Sequence, residues 1–212
     1  PSSGRIIGHA YGELPMGTRD IKESARIAQQ TWFHDVGEKE KERVFDAVKA
    51  EIETHRGPLI HTMILEGGKL WRWANAEVTE TVETVTHYHG EHSRYETKDG
   101  LRRAQTKGRI TGSIRKPYGI ILGVTPWNFP QAVPAWKICG SLAGGNAIVV
   151  KDAEQTPFTL TMTVELICNA IREVIRDSKR QKKLAGLVQL IHGDGKVGKH
   201  LVQNLSYDKV AF

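Results

Sequence analysis

The sequence predicts an α/β protein whose mostly parallel sheet carries helices on both faces. A helical N-terminal segment and a β-hairpin arm precede this sheet. Three observations predict the fold: helical periodicity in the first third, a basic extended stretch in the middle, and alternation of short apolar strands with helices after Pro117. Since alternating strands and helices form parallel sheets, we expect three regions, residues 1–101, 102–116 and 117–212.

The first third is predicted to be helical. One apolar stripe repeats at i, i+4, i+7 and i+11 and consists of Ile21, Ala25, Ala28 and Trp32. Further helices are expected over residues 38–53, over 59–64 and over 74–88, with Gly57-Pro58 as punctuation.

The segment Arg102–Lys116 differs in character from its surroundings. It is basic, it contains Gly108 and Gly112, and its Thr and Ile residues favour extended structure. We therefore expect a β-hairpin or arm here rather than part of the core.

Strands and helices alternate in the remainder of the chain. The expected strands are Gly119–Thr125, Ala147–Lys151, Leu187–Ile191 and Lys209–Phe212. The expected helices are Gln131–Ala143, Thr156–Arg176 and Val197–Asn204. Ligands of such sheets bind at the carboxyl ends of the strands, so the turns that follow the strands are where a site is expected.

The charge, hydropathy and cysteine content of the sequence argue against several classes of protein. The net charge of +6 does not predict nucleic-acid binding, because the basic stretches lack interleaved aromatic residues. No apolar run approaches the length of a membrane span, and no secretory signal is recognised at the start. The sequence contains only two cysteines, Cys139 and Cys168. We therefore expect no disulfide framework, and we expect a cytoplasmic location.

The first of these turns is Thr125–Pro130 (TPWNFP). Asn128 precedes a helix, and its amide is a donor suited to a developing oxyanion. The alternative is that Asn128 only caps the helix. Spacing alone favours the cap.

The second turn contains Lys151 and Glu154. A carboxylate here accepts hydrogen bonds from ribose hydroxyls and repels an added 2′-phosphate. The alternative is that Asp152 and Glu154 only favour the N-terminus of the following helix. Local evidence leaves both interpretations open.

Two further patterns carry less weight. Gly193–Gly198 fits G-x-G-x-x-G between a strand and a helix, yet one such match is weak, and a structural tight turn is the favoured account. His87, His89 and His92 do not share one helix face, so no metal site is expected. Cys139 and Cys168 are expected to be buried, unreactive thiols.

The stretch Pro117–Lys151, with its PWNFP turn and GGNAIVVK strand, strongly resembles the NAD(P)-dependent aldehyde dehydrogenase family. Weaker similarity extends over nearly the whole chain. It includes Glu66-Gly67-Gly68-Lys69, Ala76-Glu77-Val78 and Tyr207–Phe212.

The resemblance implies oxidation of an aldehyde to a carboxylic acid on a Rossmann-like domain that binds NAD, with NADP as the less favoured cofactor because of Glu154. Asn128 would donate to the oxyanion, while Lys151 and Glu154 would hold the adenosine ribose. The basic arm would build a homodimer or homotetramer.

The same resemblance implies roles for three further groups. Thr125, Pro126 and Trp127 would pass beside the nicotinamide, and Asn128 would also belong to the cofactor-binding residues. Gly195 and Gly198 would lie near the adenine. The helix face formed by Phe129, Val133 and Trp136 would border the aldehyde tunnel, although Val133 is equally plausible as a core residue.

The sequence also departs from the family pattern. Asp152 stands where the family usually has proline, and the link Arg172–Leu187 is longer and more basic than usual. Neither cysteine matches the nucleophile motif, and the glycine–serine turn, the general base and the catalytic cysteine are expected beyond Phe212. We therefore expect an excerpt or truncated product that is inactive alone. The rival hypothesis is an accessory that binds a nucleotide or a partner subunit.

Overall fold

The computed structural model describes residues 17–97, 102–103, 106, 108–112 and 115–212. Within these residues the N-terminal third consists of helices α1 (Thr18–Gln30), α2 (Glu38–Thr54) and α3 (Arg56–Gly67), with a π-helical turn at Thr31–Asp35. The stripe predicted from Ile21 to Trp32 is confirmed, because all four of its side chains are buried.

Helix α4 (Trp71–Thr97) is longer at both ends than the predicted segment 74–88. It runs through Gly90, although glycine inside a helix costs about 1 kcal/mol relative to alanine. Packing against α2 and against the helix that follows the first sheet strand offsets this cost.

The predicted hairpin is present. Strand β1 (Arg102–Arg103) pairs antiparallel with β2 (Ile110–Thr111). The rest of the expected arm, residues 104–105, 107 and 113–114, lies outside the described residues.

A four-stranded parallel sheet forms the second half, in the order β5-β4-β3-β6. Its strands are β3 (Ile120–Val124), β4 (Ala147–Lys151), β5 (Val188–Ile191) and β6 (Lys209–Ala211). The connecting helices are α5 (Ala132–Ala143), α6 (Pro157–Val174), α7 (Ser178–Leu184) and α8 (Gly195–Asn204).

The strand order reverses at β3. The chain moves outward from β3 through β4 to β5 and then crosses back to β6 on the other side of β3. Since such crossovers are right-handed, α5 and α6 cover one face and α8 the other. A doubly wound sheet binds ligands at this reversal, outside the carboxyl ends of its strands.

One expected element is corrected. The long helix predicted over Thr156–Arg176 ends at Val174, and the separate helix α7 follows it. Helix α7 contains a single apolar residue, Leu184, which is buried against the core. Its sequence therefore lacks the periodicity that would have predicted it.

One continuous hydrophobic core joins the N-terminal helices to the sheet. Over the part of the chain that the structure describes, we find no helix with the length and apolar character needed to cross a bilayer.

Candidate functional site

The two predicted turns lie side by side at the carboxyl rim of the sheet. The backbone N–H of Thr125 and its hydroxyl each donate to the carbonyl of Lys151, both at 3.1 Å. The hydroxyl of Thr156 lies 3.4 Å from the carbonyl of Trp127. These bonds fix the turn after β3 against the turn after β4.

A cavity of about 380 Å³ opens at this rim, beside the point where the strand order reverses. Val124 and Val210 line it from β3 and β6, and α8 covers one side. Of the predicted cofactor residues, the cavity brings together Lys151, Gly195 and Gly198. Glu154 is exposed on the adjoining turn, and Pro126 and Trp127 lie on the other.

An ion pair between Lys69 and Glu77 contacts the turn that carries Asn128. Lys69 Nζ pairs with the buried carboxylate of Glu77. The same ammonium donates to the carbonyl of Asn128 at 2.9 Å and lies 4.4 Å from the centre of the Phe129 ring. The motifs around Lys69 and Glu77 were noticed in the sequence, but the resemblance gave them no role.

The helix-cap interpretation of Asn128 is wrong. The N-cap of α5 is Gln131, and its side chain makes no capping bond. Instead, Glu77 Oε1 accepts the backbone N–H groups of Gln131 at 2.8 Å and Ala132 at 3.1 Å. Asn128 itself is exposed on the turn before this helix.

Helix α6 is capped in the same way by a distant carboxylate. Thr156 and Pro157 occupy the predicted cap and first helical positions, but the Thr156 side chain makes no capping bond. Glu66 accepts the N–H groups of Phe158 at 2.8 Å and Thr159 at 2.9 Å. Burial is the main cause that raises the pKa of Glu66. Glu66 therefore satisfies these two N–H groups, and the favourable placement of the Asp152 and Glu154 charges near this helix end stays a prediction.

Asp152, the departure from the family pattern, is 1% exposed. Its Oδ2 forms a very short contact with Nδ1 of His192, which follows β5. Its Oδ1 is buried and has no hydrogen-bond partner among the described residues. This pair joins the turn after β4 to the turn after β5, and sequence reasoning assigned it no role.

The turn before α8 is explained better by helix capping than by phosphate binding. The Asp194 carboxylate accepts the N–H groups of Lys196 and Val197 at 2.8 and 3.2 Å. These bonds lower the pKa of Asp194. A Cβ on Gly193 would lie 2.5 Å from a methyl group of Val197, whereas Gly195 faces open space. With a carboxylate already on these amides, little donor capacity is left for a pyrophosphate.

Of the three predicted tunnel residues, Val133 and Trp136 lie on α5, and Phe129 lies on the turn before it. Phe129 and Trp136 are 41% and 44% exposed, which is unusual for large aromatic side chains. Val133 lies between them in sequence and is partly buried. Lys137, one residue further, donates to the carbonyl of Val124 at 3.0 Å, and burial lowers its pKa.

The thiol groups of both cysteines are wholly or partly shielded from solvent. Cys139 is buried, and desolvation raises its pKa to about 12. Cys168 is half-buried, and burial is again the main cause that raises its pKa. Thiolates, not thiols, are nucleophilic, so neither cysteine is suited to attack a carbonyl.

Two histidines of α4 lie close to acidic side chains of α2. His92 lies 2.6 Å from a Glu38 oxygen, and His89 lies 3.4 Å from an Asp46 oxygen. Across the described ranges, no group of three or more His, Cys, Asp or Glu side chains is arranged to hold a metal ion.

Comparison with known proteins places this geometry in a family. The model of the aldehyde dehydrogenase family matches residues 1–212. Malonate-semialdehyde dehydrogenase of Bacillus cytotoxicus is 28% identical over 216 residues, which cover 100% of this chain and 41% of the relative. Fluoroacetaldehyde dehydrogenase of Streptantibioticus cattleyicolor is 27% identical over 98% of this chain and 39% of its own.

Solved structures of other proteins have a fold similar to that of this chain. An NADP-dependent enzyme of E. coli superposes with a TM-score of 0.77 at 26% identity, covering 88% of this chain and 36% of that one. The glyceraldehyde-3-phosphate dehydrogenase GapN of Methanocaldococcus jannaschii, complexed with NADP, superposes with a TM-score of 0.78 at 20% identity, covering 99% and 48%. The second likeness supports the fold alone.

The chain spans about two fifths of the length of the two dehydrogenases named above. The protein belongs to the aldehyde dehydrogenase family.

Proposed function

We propose that this chain supplies the dinucleotide site and one oxyanion donor of an enzyme that oxidises an aldehyde to a carboxylic acid. The observation that carries the proposal is the pairing of two turns at one sheet rim. One carries the exposed Asn128, and the other carries Lys151, which lines the cavity, and the exposed Glu154 three residues later.

The residues present fit a dinucleotide. The Lys151 side chain extends along a cavity that also reaches Gly198, where an added Cβ would lie 3.9 Å from two of its carbons. The cavity lies where a doubly wound sheet binds its ligand. Glu154 would accept both ribose hydroxyls, and its charge would disfavour a 2′-phosphate, so NAD is the proposed cofactor. When bound, NAD accepts the hydride that leaves the substrate carbon.

The chain's own contribution to chemistry is electrostatic. As a thiolate adds to the aldehyde carbon, negative charge develops on the carbonyl oxygen, and the Asn128 side chain would donate to it. Water then hydrolyses the thioester formed after hydride loss. Because Cys139 and Cys168 are shielded with raised pKa values, the nucleophile is proposed to lie outside these 212 residues.

Two further properties are proposed with the function. The hairpin of β1 and β2 would pair subunits into a homodimer or homotetramer, and the protein would reside in the cytoplasm. Analytical ultracentrifugation tests the first, with a monomer as the contrary result.

The activity is tested by following aldehyde-dependent NADH formation by the natural protein. We expect turnover with NAD and an aldehyde. The 212-residue chain alone is expected to bind NAD weakly and to show no turnover. NADH production by that chain alone would overturn the assignment of the nucleophile, whereas inactivity of the natural protein towards every aldehyde would overturn the proposed reaction.

A further inference from the structure

His192 connects three elements at the rim of the proposed cofactor site. It follows β5, its Nδ1 meets the Asp152 carboxylate after β4, and its Nε2 lies 3.3 Å from the Thr161 hydroxyl on α6. Because Lys151 and Ile191 are register partners in the sheet, Asp152 and His192 extend side by side from neighbouring strands.

The hydrogen-bond partners of the two ring nitrogens indicate which protonation form of His192 fits between Asp152 and Thr161. The Thr161 hydroxyl donates its one proton to the carbonyl of Pro157 at 2.8 Å. A hydroxyl that donates to Pro157 is an acceptor towards His192, and Nε2 is then the donor. The carboxylate at Nδ1 is also an acceptor, so the imidazolium is the form in which both ring nitrogens donate.

The surrounding charges favour the same form. Glu66, at the end of α3, is close enough to Asp152 that the two carboxylates repel, which contributes to the raised pKa of Glu66. Asp152 Oδ1 is buried without a partner among the described residues. On the chain segment of His192 itself, Asp194 is bound to its own helix end and Lys196 is exposed. The His192 ring is in direct contact with the buried Asp152 carboxylate.

We propose that His192, in its doubly protonated form, is a positioning residue for the turn that holds the adenosine ribose. Resting on the proposed function, this assigns to Asp152 and His192 a task for which the family commonly uses a proline in the turn. A proline stiffens a turn covalently, whereas here an ion pair ties the turn to β5 and α6. Loss of the ring proton loosens Lys151 and Glu154 and weakens dinucleotide binding.

The test compares His192→Gln, Thr161→Val and the matched control His200→Gln in the natural protein. His200 is exposed on α8 and bonds only within its own helix among the described contacts. We expect His192→Gln to raise KM for NAD about tenfold while kcat at saturating NAD is retained, because ground-state binding alone is lost. Thr161→Val should raise KM by about threefold, and the control should leave it unchanged.

A pH series adds a readout that a packing role would not produce. Labelling the protein with ¹⁵N-histidine lets the protonation of the His192 ring be followed as the pH changes. KM for NAD, measured over the same pH series, should rise in the range in which the ring loses its second proton. His192→Gln should abolish that dependence. A His192 ring with one proton at all pH values of the folded state, or an unchanged KM in His192→Gln, would overturn the proposal.

Failure of this inference is distinguishable from failure of the proposed function. Binding of ADP-ribose, measured by calorimetry, needs no turnover and reports on the ribose turn directly. If the wild type binds ADP-ribose and His192→Gln binds it equally well, the positioning role is wrong even when aldehyde oxidation is observed. If the wild type oxidises no aldehyde yet His192→Gln weakens ADP-ribose binding, the positioning role stands and the reaction is wrong.

Discussion

Lys69 and Glu77 form an ion pair between the end of α3 and the first turns of α4, directly under the turn that carries Asn128. The Glu77 side chain is fully buried, and its second oxygen accepts two backbone N–H groups at the start of α5. One carboxylate therefore caps a helix and, through Lys69, anchors the carbonyl of Asn128.

Removing the charge from Glu77 should destabilise the protein. Glu77→Gln leaves the Lys69 ammonium, only 17% exposed, without its carboxylate. Because breaking a buried ion pair leaves an uncompensated charge, we expect the free energy of unfolding to fall by about 3 kcal/mol. Urea denaturation measures this, and Glu83→Gln, exposed on the same helix, is the control, with a change within about 0.5 kcal/mol. Equal effects of the two substitutions would contradict the role of Glu77.

Asn128→Ala tests the oxyanion donor. The amide makes no side-chain hydrogen bond within the described part of the chain, so its loss should leave the fold intact. We expect kcat of the natural protein to fall about 10²- to 10³-fold, as removal of one oxyanion donor does. The Kd for NAD should change far less than kcat does. A kcat within twofold of wild type would remove Asn128 from the mechanism.

Glu154→Gln tests cofactor choice. The Glu154 side chain is exposed three residues after Lys151, and within the described part of the chain its one hydrogen bond is a long contact with Gln155 at 3.5 Å. Neutralising it removes the repulsion of a 2′-phosphate, so the ratio of kcat/KM for NAD over NADP should fall about tenfold or more. Glu173→Gln, exposed at the far end of α6, is the control. Unchanged relative affinities would count against the ribose assignment.

The buried carboxyl of Glu66 should make stability depend on pH. Burial is the largest cause that raises its pKa above the ordinary 4.5. The folded state therefore holds this proton more tightly than the unfolded chain does. The stability contributed by the protonated form is fully present below about pH 4.5 and is lost as pH rises through the folded pKa.

The measurement compares wild type with Glu66→Gln, which cannot titrate, by denaturant unfolding across this range. The difference in unfolding free energy should move in favour of the variant as pH rises. A difference that is constant with pH, or one that moves towards the wild type, would show that the pKa is not raised.

The sequence predicted the sheet well because its strands are short apolar runs between clear turn signals. Ala147–Lys151 was predicted with the observed bounds. Local pattern was insufficient where the deciding contact is remote. The carboxylate that caps α5 comes from a residue 54 positions away and the one that caps α6 from a residue 92 positions away. Asn128 and Thr156 were therefore expected to cap these helices, although neither side chain makes a capping bond to them.

The Asp152–His192 pair shows the same limit at the site. Asp152 was noticed because a carboxylate stood where proline was expected. Its partner lies 40 residues further on, behind the next strand, and single-sequence reasoning has no means of pairing the two. The residues of the two turns were found because they are close in sequence to strand ends, whereas the residues that position them were not.

The central claim is tested most directly by a crystal structure of the natural protein with NAD. We expect the adenosine ribose hydroxyls within hydrogen-bond distance of Lys151 and Glu154, and the nicotinamide beside Thr125–Asn128. A dinucleotide bound away from this rim, or with its ribose contacting neither side chain, would contradict the account.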